Sequence, residues 1–538
     1  MATLTPFTGV LGEINASHLL RRATLNPNPT LISQFGTYTV QQAMTALCAP
    51  LTLQVPEPLD PNTGQAFMQS FLNPTLNGSF GEASPTVGWY LREAIYSNTF
   101  QLKAVFWLHS MFILNSGSDG GTVAFFDYMQ LLNFYSDKSL KDFAKKVSRC
   151  SMMSIYLNNN LNTKNAPNEN YAREFLELFT ILKGPQDGPG SYTNYTEQDV
   201  QMAAKVLTGF RDVPGNLRMN YLDPICHVPL NYKTFSNHDT SNKTFSSKFN
   251  NHVITGATTE AGMDTELDAF IDMIFNQQAT ALNYARRMYR FYVKSTITSE
   301  VETGIIAPLA NNLMTTNYDI SSTLQLLLSS KHFYDAEDSI QYDQIIGGKI
   351  KSPLELFLIM YSQFQISIPN PITSPGHNFW LFRNMSGYMY DIGMSIYAPI
   401  SVVGYIPIYQ EPFDNLWVNT AVLRSRYNQP LDLLLEGFND SNSLTKLDTV
   451  LFVKNSGNFS NPANATTLIN EMLNLLLAVM PTGSRYTYFT QSLLGGLSVI
   501  SWQNEWNNYL NNNDDTAVRI ALNRLVTAIV KSTEYQVF

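Results

Sequence analysis

The chain has 538 residues, 34 basic and 43 acidic side chains and a net charge of −9; charged residues make up 14% of it, where about 25% is usual for a soluble domain, and aromatics reach 12%. That acidic balance excludes the broad basic footprint of a sequence-independent nucleic-acid binder. No stretch reaches the ~18 uninterrupted apolar residues of a membrane-spanning helix, and the nearest, Leu473 to Met480, is short and belongs to a periodic helix.

A chain this long buries a large core without disulfide or metal staples. Cys48, Cys150 and Cys226 are odd in number, widely spaced and free of any Cys-x-x-Cys pair, so they are expected as buried free thiols. Met1 to Val10 has neither a positive n-region nor a continuous apolar h-region, so no secretory signal is expected here. Low charge with abundant Asn, Thr, Ser and Tyr nevertheless leans toward an extracytoplasmic protein.

In chain order, apolar spacing of three and four predicts an amphipathic segment over Thr39 to Leu47, then one long or two shorter helices over Thr86 to Ser116. Helices are further predicted over Leu140 to Leu157, Glu169 to Leu182, Glu197 to Leu207, Thr265 to Phe275, Ala279 to Val293, Ile320 to Ser330 and Pro353 to Phe364. Leu230 to Val253, with short alternating stretches around Asn237-His238-Asp239, reads as a small β-hairpin insertion. Ile366 to Pro399, rich in Pro, Gly, Asn and aromatics, is expected to be irregular, and helical patterns return at Trp417 to Tyr427, Ala465 to Val479, Gln491 to Tyr509 and Ala517 to Ser532. The expected fold is mainly α: a multi-helix N-terminal body over 1–365, then an irregular bridging region and a helical C-terminal lobe over 366–538. No fixed-period repeat is apparent, which argues against a solenoid.

The most unusual string runs from Ala166-Pro167-Asn168-Glu169 through Arg173-Glu174 into Phe175-Leu176-Glu177. Asn168 suits an N-cap, and Glu169 gains from the helix dipole. Glu169, Arg173 and Glu177 fall at i, i+4 and i+8 and should form one charged stripe on a mostly apolar helix, which is expected to be buried. Buried charges must be paired, and forced pairing perturbs pKa values. Asn168, Glu169, Arg173 and Glu174 therefore form either a polar site or a structural ion-pair network. His18 precedes Arg21 and Arg22 within one helical turn, a pattern that holds a carboxylate or phosphate by forked hydrogen bonds or else makes a solvated basic face. His109 sits in an apolar string, where a lone imidazole is more often a satisfied core residue than a ligand. His238-Asp239, with Lys243 four residues on, is a candidate for acid–base work on a loop. Thr196 with Asp199 resembles a capping box, and Gly209 suits a helix end. There is no His-Glu-x-x-His helix, no phosphate loop and no Gly-x-Ser-x-Gly elbow, so the sequence gives no specific signal for a metal or cofactor.

Together these strings resemble the bacterial domain-of-unknown-function 1800 family. The likeness rests on His18-Leu-Leu-Arg-Arg-Ala, on Pro167 to Thr180, on Tyr195 to Val200 with Leu207-Thr-Gly209, on His238-Asp239 with Lys243, on Lys349-Ile-Lys-Ser-Pro-Leu-Glu355, and on Trp417 to Asn428, over roughly residues 14 to 430. The resemblance implies a largely helical protein, often exported, whose genes often neighbour a sulfatase-like family of unknown function, itself an expected protein partner. Where many members show Trp-His-x-His-Phe, this chain has Trp107-Leu-His-Ser-Met-Phe112, which leaves only His109 and weakens a two-histidine metal site there. The usual Phe-Gly after the opening arginines is Leu25-Asn26.

The expected function is an extracytoplasmic enzyme, hydrolytic and acting on a polar or anionic polymer. Glu169, Glu174, His238 and Asp239 are its acid–base candidates, and Arg22, Arg173 and Lys243 its anion binders. The competing class is a non-enzymatic component of a surface or envelope assembly, whose Tyr, Asn and Phe side chains supply the interface.

Overall fold

The computed structural model describes residues 2–66, 84–115, 121–213, 215–337, 345–399, 402–405, 409–440 and 442–538. The protein is mainly α-helical, and its strands occur in two-stranded antiparallel pairs. The N-terminal helices are α1 (Gly12–Ala23), α2 (Pro29–Gly36), α3 (Val40–Leu47), α4 (Ser84–Tyr96), α5 (Gln101–Met111), α6 (Gly121–Tyr135), α7 (Leu140–Val147) and α8 (Ser151–Tyr156). Several start where side chains satisfy the orphan N–H groups of the first turn. Asn28 accepts from Leu31 N, Thr39 and Gln42 form a capping box, and Ser139 accepts from Asp142 N. The predicted 140–157 helix is broken in two, with Cys150 in extended backbone before α8.

α9 (Glu169–Glu174) starts on Asn168 as expected, the side chain accepting from Asn170 N, but it does not run to residue 182. It widens into a π turn over Phe175–Phe179, and the hydroxyl of Thr180 donates to Phe175 O at 2.5 Å. A π turn shifts everything after it around the helix axis. Hairpin β1–β2 (Gln186–Gly188, Ser191–Tyr192) follows, then α10 (Glu197–Val206), whose Thr196–Asp199 capping box is present. β3 (Phe210–Arg211) pairs with β4 (Tyr232–Lys233), and β5 (Lys243–Thr244) with β6 (Val253–Ile254); a small hairpin is thus present, but over 243–254 and not around Asn237-His238-Asp239, where Phe235–Asn237 makes a 3-10 turn and His238 follows in a loop.

α11 (Gly262–Phe275) and α12 (Gln278–Tyr292) come next, followed by a helical run α13 made of Ser299–Val301, a π turn Glu302–Ile306 and Ala307–Thr315. α14 (Ile320–Leu328) and α15 (Pro353–Gln363) complete this part. The residues of α5 and α15 are buried along the whole length of each helix. Such all-round burial marks a core helix. The stretch 366–399, expected to be irregular, contains α16 (Pro375–Asp391). Its proline stands in the first turn, where no hydrogen-bonding N–H is lost, and its Phe379, Phe382, Met385 and Met389 turn inward. α17 (Leu423–Leu431), hairpin β7–β8 (Phe438–Asn439, Leu444–Thr445), α18 (Thr449–Asn455), α19 (Ala465–Leu476), α20 (Gly483–Leu494), α21 (Val499–Asn512) and α22 (Thr516–Val530) form the C-terminal part. The predicted 491–509 helix is split at Gly495 and Gly496, both of positive φ (+62° and +84°), a conformation glycine adopts without strain. Among the described residues no helix is long and apolar enough to cross a membrane.

Candidate functional site

The stripe expected on α9 is rearranged by the π turn. Arg173 pairs with Glu169 at 3.0 Å and, through both terminal nitrogens, with Glu197 of α10 at 3.0 and 2.7 Å. Glu177 is turned away to Lys183 (3.4 Å) and to the hydroxyl of Tyr195 (3.2 Å). These charges are not sealed in the core: Arg173, Glu169 and Glu197 are 32, 38 and 37% exposed. The Glu197 and Glu169 carboxylates push the Arg173 guanidinium to a still higher pKa. Half-buried Glu174 has its carboxyl raised, first by burial and then by Glu177. Asn168 holds the helix start, its N–H on Asn162 Oδ1 (2.9 Å) and its amide donating to Asn158 O (3.1 Å).

His238 and Lys243 belong to a separate network, fully enclosed around Glu266 of α11. His238 Nε2 lies 3.0 Å from Glu266 Oε2, Lys243 Nζ 2.5 Å from Oε1, and Ala257 N donates to Oε2 at 2.7 Å. His238 Nδ1 donates to Thr208 O at 2.8 Å. Gly209 permits this approach: a Cβ there would meet Thr234 O at 2.8 Å and the backbone N of His238 at 3.2 Å. Asp239 closes a turn on Ser241 N (2.8 Å), and hydrogen bonds from Ser241 hold its carboxyl below the usual range despite burial. Glu266 has no local signal in the sequence, because its side-chain partners lie 20 to 30 residues upstream, His238 in the loop before β5 and Lys243 on β5.

The opening arginines hold no exposed fork. His18 is buried with Nε2 2.9 Å from Phe333 O, and burial, then Arg22, push its pKa well below the usual value. Arg22 donates to Val293 O (2.7 Å), Ile345 O (2.9 Å) and a main-chain oxygen of Phe538, and burial brings its pKa to about 9. Arg21 donates to Leu475 O at 2.8 Å, Lys103 to Arg21 O (3.0 Å) and Thr24 O (3.4 Å), Lys349 to Phe291 O, Lys351 to Tyr535 O (2.6 Å), and Arg426 to Lys351 O (2.6 Å). Many of these oxygens sit at or just past the ends of α1, α12 and α19. The cations therefore occupy the negative poles of converging helices and satisfy their last carbonyls.

Glu355, in the first turn of α15, is the carboxylate among them. Its Oε1 lies 3.0 Å from Lys103 Nζ and 3.4 Å from Lys349 Nζ, and its Oε2 accepts from Ser352 N (2.9 Å) and the Ser352 hydroxyl (2.8 Å). Burial alone would raise its pKa, but Lys349, Lys103 and Ser352 hold it at about 2. Burial conversely lowers Lys349 to about 7, opposed by Glu355.

His109 is fully buried in a tyrosine-rich pocket, its ring 4.7 Å from that of Tyr397. The hydroxyl of Tyr128 donates to Phe112 O at 2.8 Å, so the 3.0 Å contact to His109 Nδ1 must take its proton from the imidazole. Nε2 is then a lone pair with no hydrogen-bond partner, and burial lowers the ring's pKa to about 3.

Beside the cationic cluster, a polar pocket of about 590 Å³, counted out into the solvent at its mouth, is lined by Tyr289, Lys294, Thr296, Thr298, Glu300, His332 and Glu337, among others. His332 Nδ1 is 2.5 Å from Glu337 Oε1, and Nε2 is 2.9 Å from the Tyr289 hydroxyl. An ionised carboxylate only accepts, so Nδ1 carries the proton and Nε2 accepts from Tyr289. Glu337 Oε2 is buried and has no hydrogen-bond partner among the described residues. Burial and then Glu337 raise the Tyr289 phenol, so it stays protonated. A carboxylate with one oxygen on a histidine and the other free is an acid–base constellation. His332 and Glu337 fall in the plain string Lys331-His332-Phe333-Tyr334-Asp335-Ala336-Glu337, whose five-residue spacing matches no motif. Among the described residues no group of three or more His, Cys, Asp or Glu comes together as a metal site.

Fold and site define a mainly helical protein knit together by a buried cationic hub, with a polar cavity holding a histidine–glutamate pair on its flank. The chain belongs to the family described as protein of unknown function (DUF1800), whose model matches residues 18–537 and so extends through the C-terminal helices that pack on Arg21 and Arg22. No curated protein and no solved structure matches the chain.

Proposed function

We propose that the protein is an extracytoplasmic hydrolase of a polar or anionic substrate, working by acid–base chemistry in the cavity of Tyr289, His332 and Glu337. The observation that carries this reading is the unpartnered Glu337 Oε2 beside a histidine already oriented by Tyr289. Glu337 takes the proton of a bound water at Oε2 as that water attacks the scissile centre and returns it from Oε2 to the leaving group as the scissile bond breaks, while His332 Nδ1–H holds Oε1 and fixes the carboxylate in place. The Thr298 hydroxyl, whose oxygen caps Val301 N, lies on the cavity wall with its proton to donate, the Thr296 hydroxyl is held by Glu411 (2.6 Å), and Lys294 brings positive charge to the wall. The sealed His238–Lys243–Glu266 network offers no route for substrate, so the chemistry is assigned to the open cavity. The composition supports export, and the net acidity weighs against nucleic-acid partners.

The test is a panel of chromogenic glycosides, esters, phosphate esters and sulfate esters offered to the wild type and to His332→Asn. The proposal expects turnover of at least one class and its loss in the variant at unchanged melting temperature. Equal turnover by both proteins, or none by either, overturns it.

A second reading, a component of a surface assembly that docks a protein such as the sulfatase-like neighbour, is favoured by one observation. Leu493, Leu494, Leu497, Trp502, Ala517 and Ile520 line an apolar groove between α20, α21 and α22, and Leu497 and Ile520 are strongly exposed. Exposed apolar grooves of this kind mark contact surfaces.

A further inference from the structure

On a different face of α12 from Tyr289, Arg287, Arg290 and Phe291 fall at i, i+3 and i+4 and line a cleft with Trp107, Ser110 and Met111 of α5 and with Tyr409. Its inner space admits about one water-sized group and opens at the mouth to solvent, about 270 Å³ in all. Trp107 and Arg287 are buried, at 1 and 7% exposure, yet Trp107 Nε1, Arg287 Nη1 and Arg290 Nε have no hydrogen-bond partner among the described residues. Arg287 is fixed by its other terminal nitrogen, which donates to Leu178 O. The neighbouring acid, Glu302, is held by Arg286 (3.1 Å), and among the described residues Arg290 forms no ion pair. The lining contains no carboxylate.

A buried donor without an acceptor is costly, and two guanidinium groups on one face repel each other. Such an arrangement persists when an acceptor of opposite charge completes it. Phe291, Tyr409, Met111 and the Trp107 ring supply flat apolar walls around those donors. We infer that this cleft is a binding site for a small carboxylate with an apolar or aromatic body, one carboxylate oxygen entering the inner space among Trp107 Nε1 and the two arginines and the body lying in the open mouth against Phe291 and Tyr409. The site is independent of the hydrolytic reading: it uses other residues and is tested without turnover.

The experiment is calorimetric titration of the whole protein with benzoate, acetate, phenyl phosphate and uncharged benzamide, repeated with Arg290→Gln and Trp107→Phe. Benzoate is expected to bind saturably with one site, more tightly than acetate or phenyl phosphate, and to raise the melting temperature. Arg290→Gln, a partly exposed change, should weaken benzoate by at least about tenfold, and Trp107→Phe, which keeps the ring wall and removes one N–H, by about fivefold. Melting curves of both variants without ligand establish that they are folded. Benzamide binding as well as benzoate, phenyl phosphate binding in preference to it, no saturable binding, or equal affinity in folded Arg290→Gln each overturns the proposal.

Discussion

Replacing Glu355 by Gln removes the negative charge from the centre of the cationic hub while keeping side-chain volume and an acceptor for Ser352. Holding this carboxyl at about 2, against about 4.3 in an unfolded chain, corresponds to roughly 3 kcal/mol of native-state stabilisation. The sign follows from the depressed native pKa: the contribution is fully present above the unfolded value and is lost as pH falls through about 2. Gln at this position should therefore cost about 3 to 5 kcal/mol at pH 7, because Lys103 and Lys349 are left as buried cations without a counter-charge. Lys349, already lowered to about 7, would be driven further toward its neutral form. Since the unfolded chain then holds a proton that the native state lacks, the variant should regain stability between neutral pH and the unfolded lysine pKa of about 10.4. Urea unfolding followed by circular dichroism at several pH values measures both effects. A Glu355→Gln protein within about 1 kcal/mol of wild type at pH 7 would refute the reasoning. The hub cations would then be compensated by helix carbonyls alone.

Further outcomes follow from the same contacts. His109, with its pKa lowered to about 3, should stay neutral with the proton on Nδ1 in a pH titration by nitrogen-edited NMR. Because the unfolded chain binds this proton near pH 6.5 and the native state does not, stability attributable to His109 declines as pH falls from about 6.5 to 3, by an order of 4 kcal/mol, and a His109→Phe protein should lack that part of the slope. Arg173→Ala should change stability by under about 1 kcal/mol, since its pairs with Glu169 and Glu197 are about a third exposed and screened; a larger loss in urea unfolding would mark the pairs as structural. Gly209→Ala should destabilise by more than about 1 kcal/mol, as it adds a Cβ at positive φ against Thr234 O; a thermal melt matching wild type would contradict the close packing of the His238 loop on Gly209.

The helices were legible where a capping residue stood before a clean apolar period, as at Thr39, Thr196 and the Pro353 helix. The π turn after Glu174 was not, because its hydrogen-bond shift leaves no mark on a side-chain pattern of three and four. That turn separates Glu177 from Arg173 and dissolves the expected stripe. α16 was hidden by proline and glycine in its sequence, although a first-turn proline starts helices as readily as it ends them. Arg22, read from the sequence as an anion fork or a solvated basic face, and His238 with Lys243, read as an acid–base cluster on a loop, are instead buried, and their partners are backbone oxygens and a distant carboxylate. Backbone acceptors have no sequence signature, and pairing across many residues has none either. The same holds for His332 and Glu337, which become a pair only when the turn after α14 folds them against Tyr289.

The most direct test sets the two histidine–glutamate pairs against each other, by measuring kcat/KM and melting temperature for Glu337→Gln and His238→Asn on a substrate turned over by the wild type. The account predicts that Glu337→Gln loses turnover by about 100-fold or more and melts like wild type, whereas His238→Asn melts several degrees lower and keeps its turnover while folded. The opposite pattern, a catalytically dead but stable His238→Asn and an active Glu337→Gln, would contradict it.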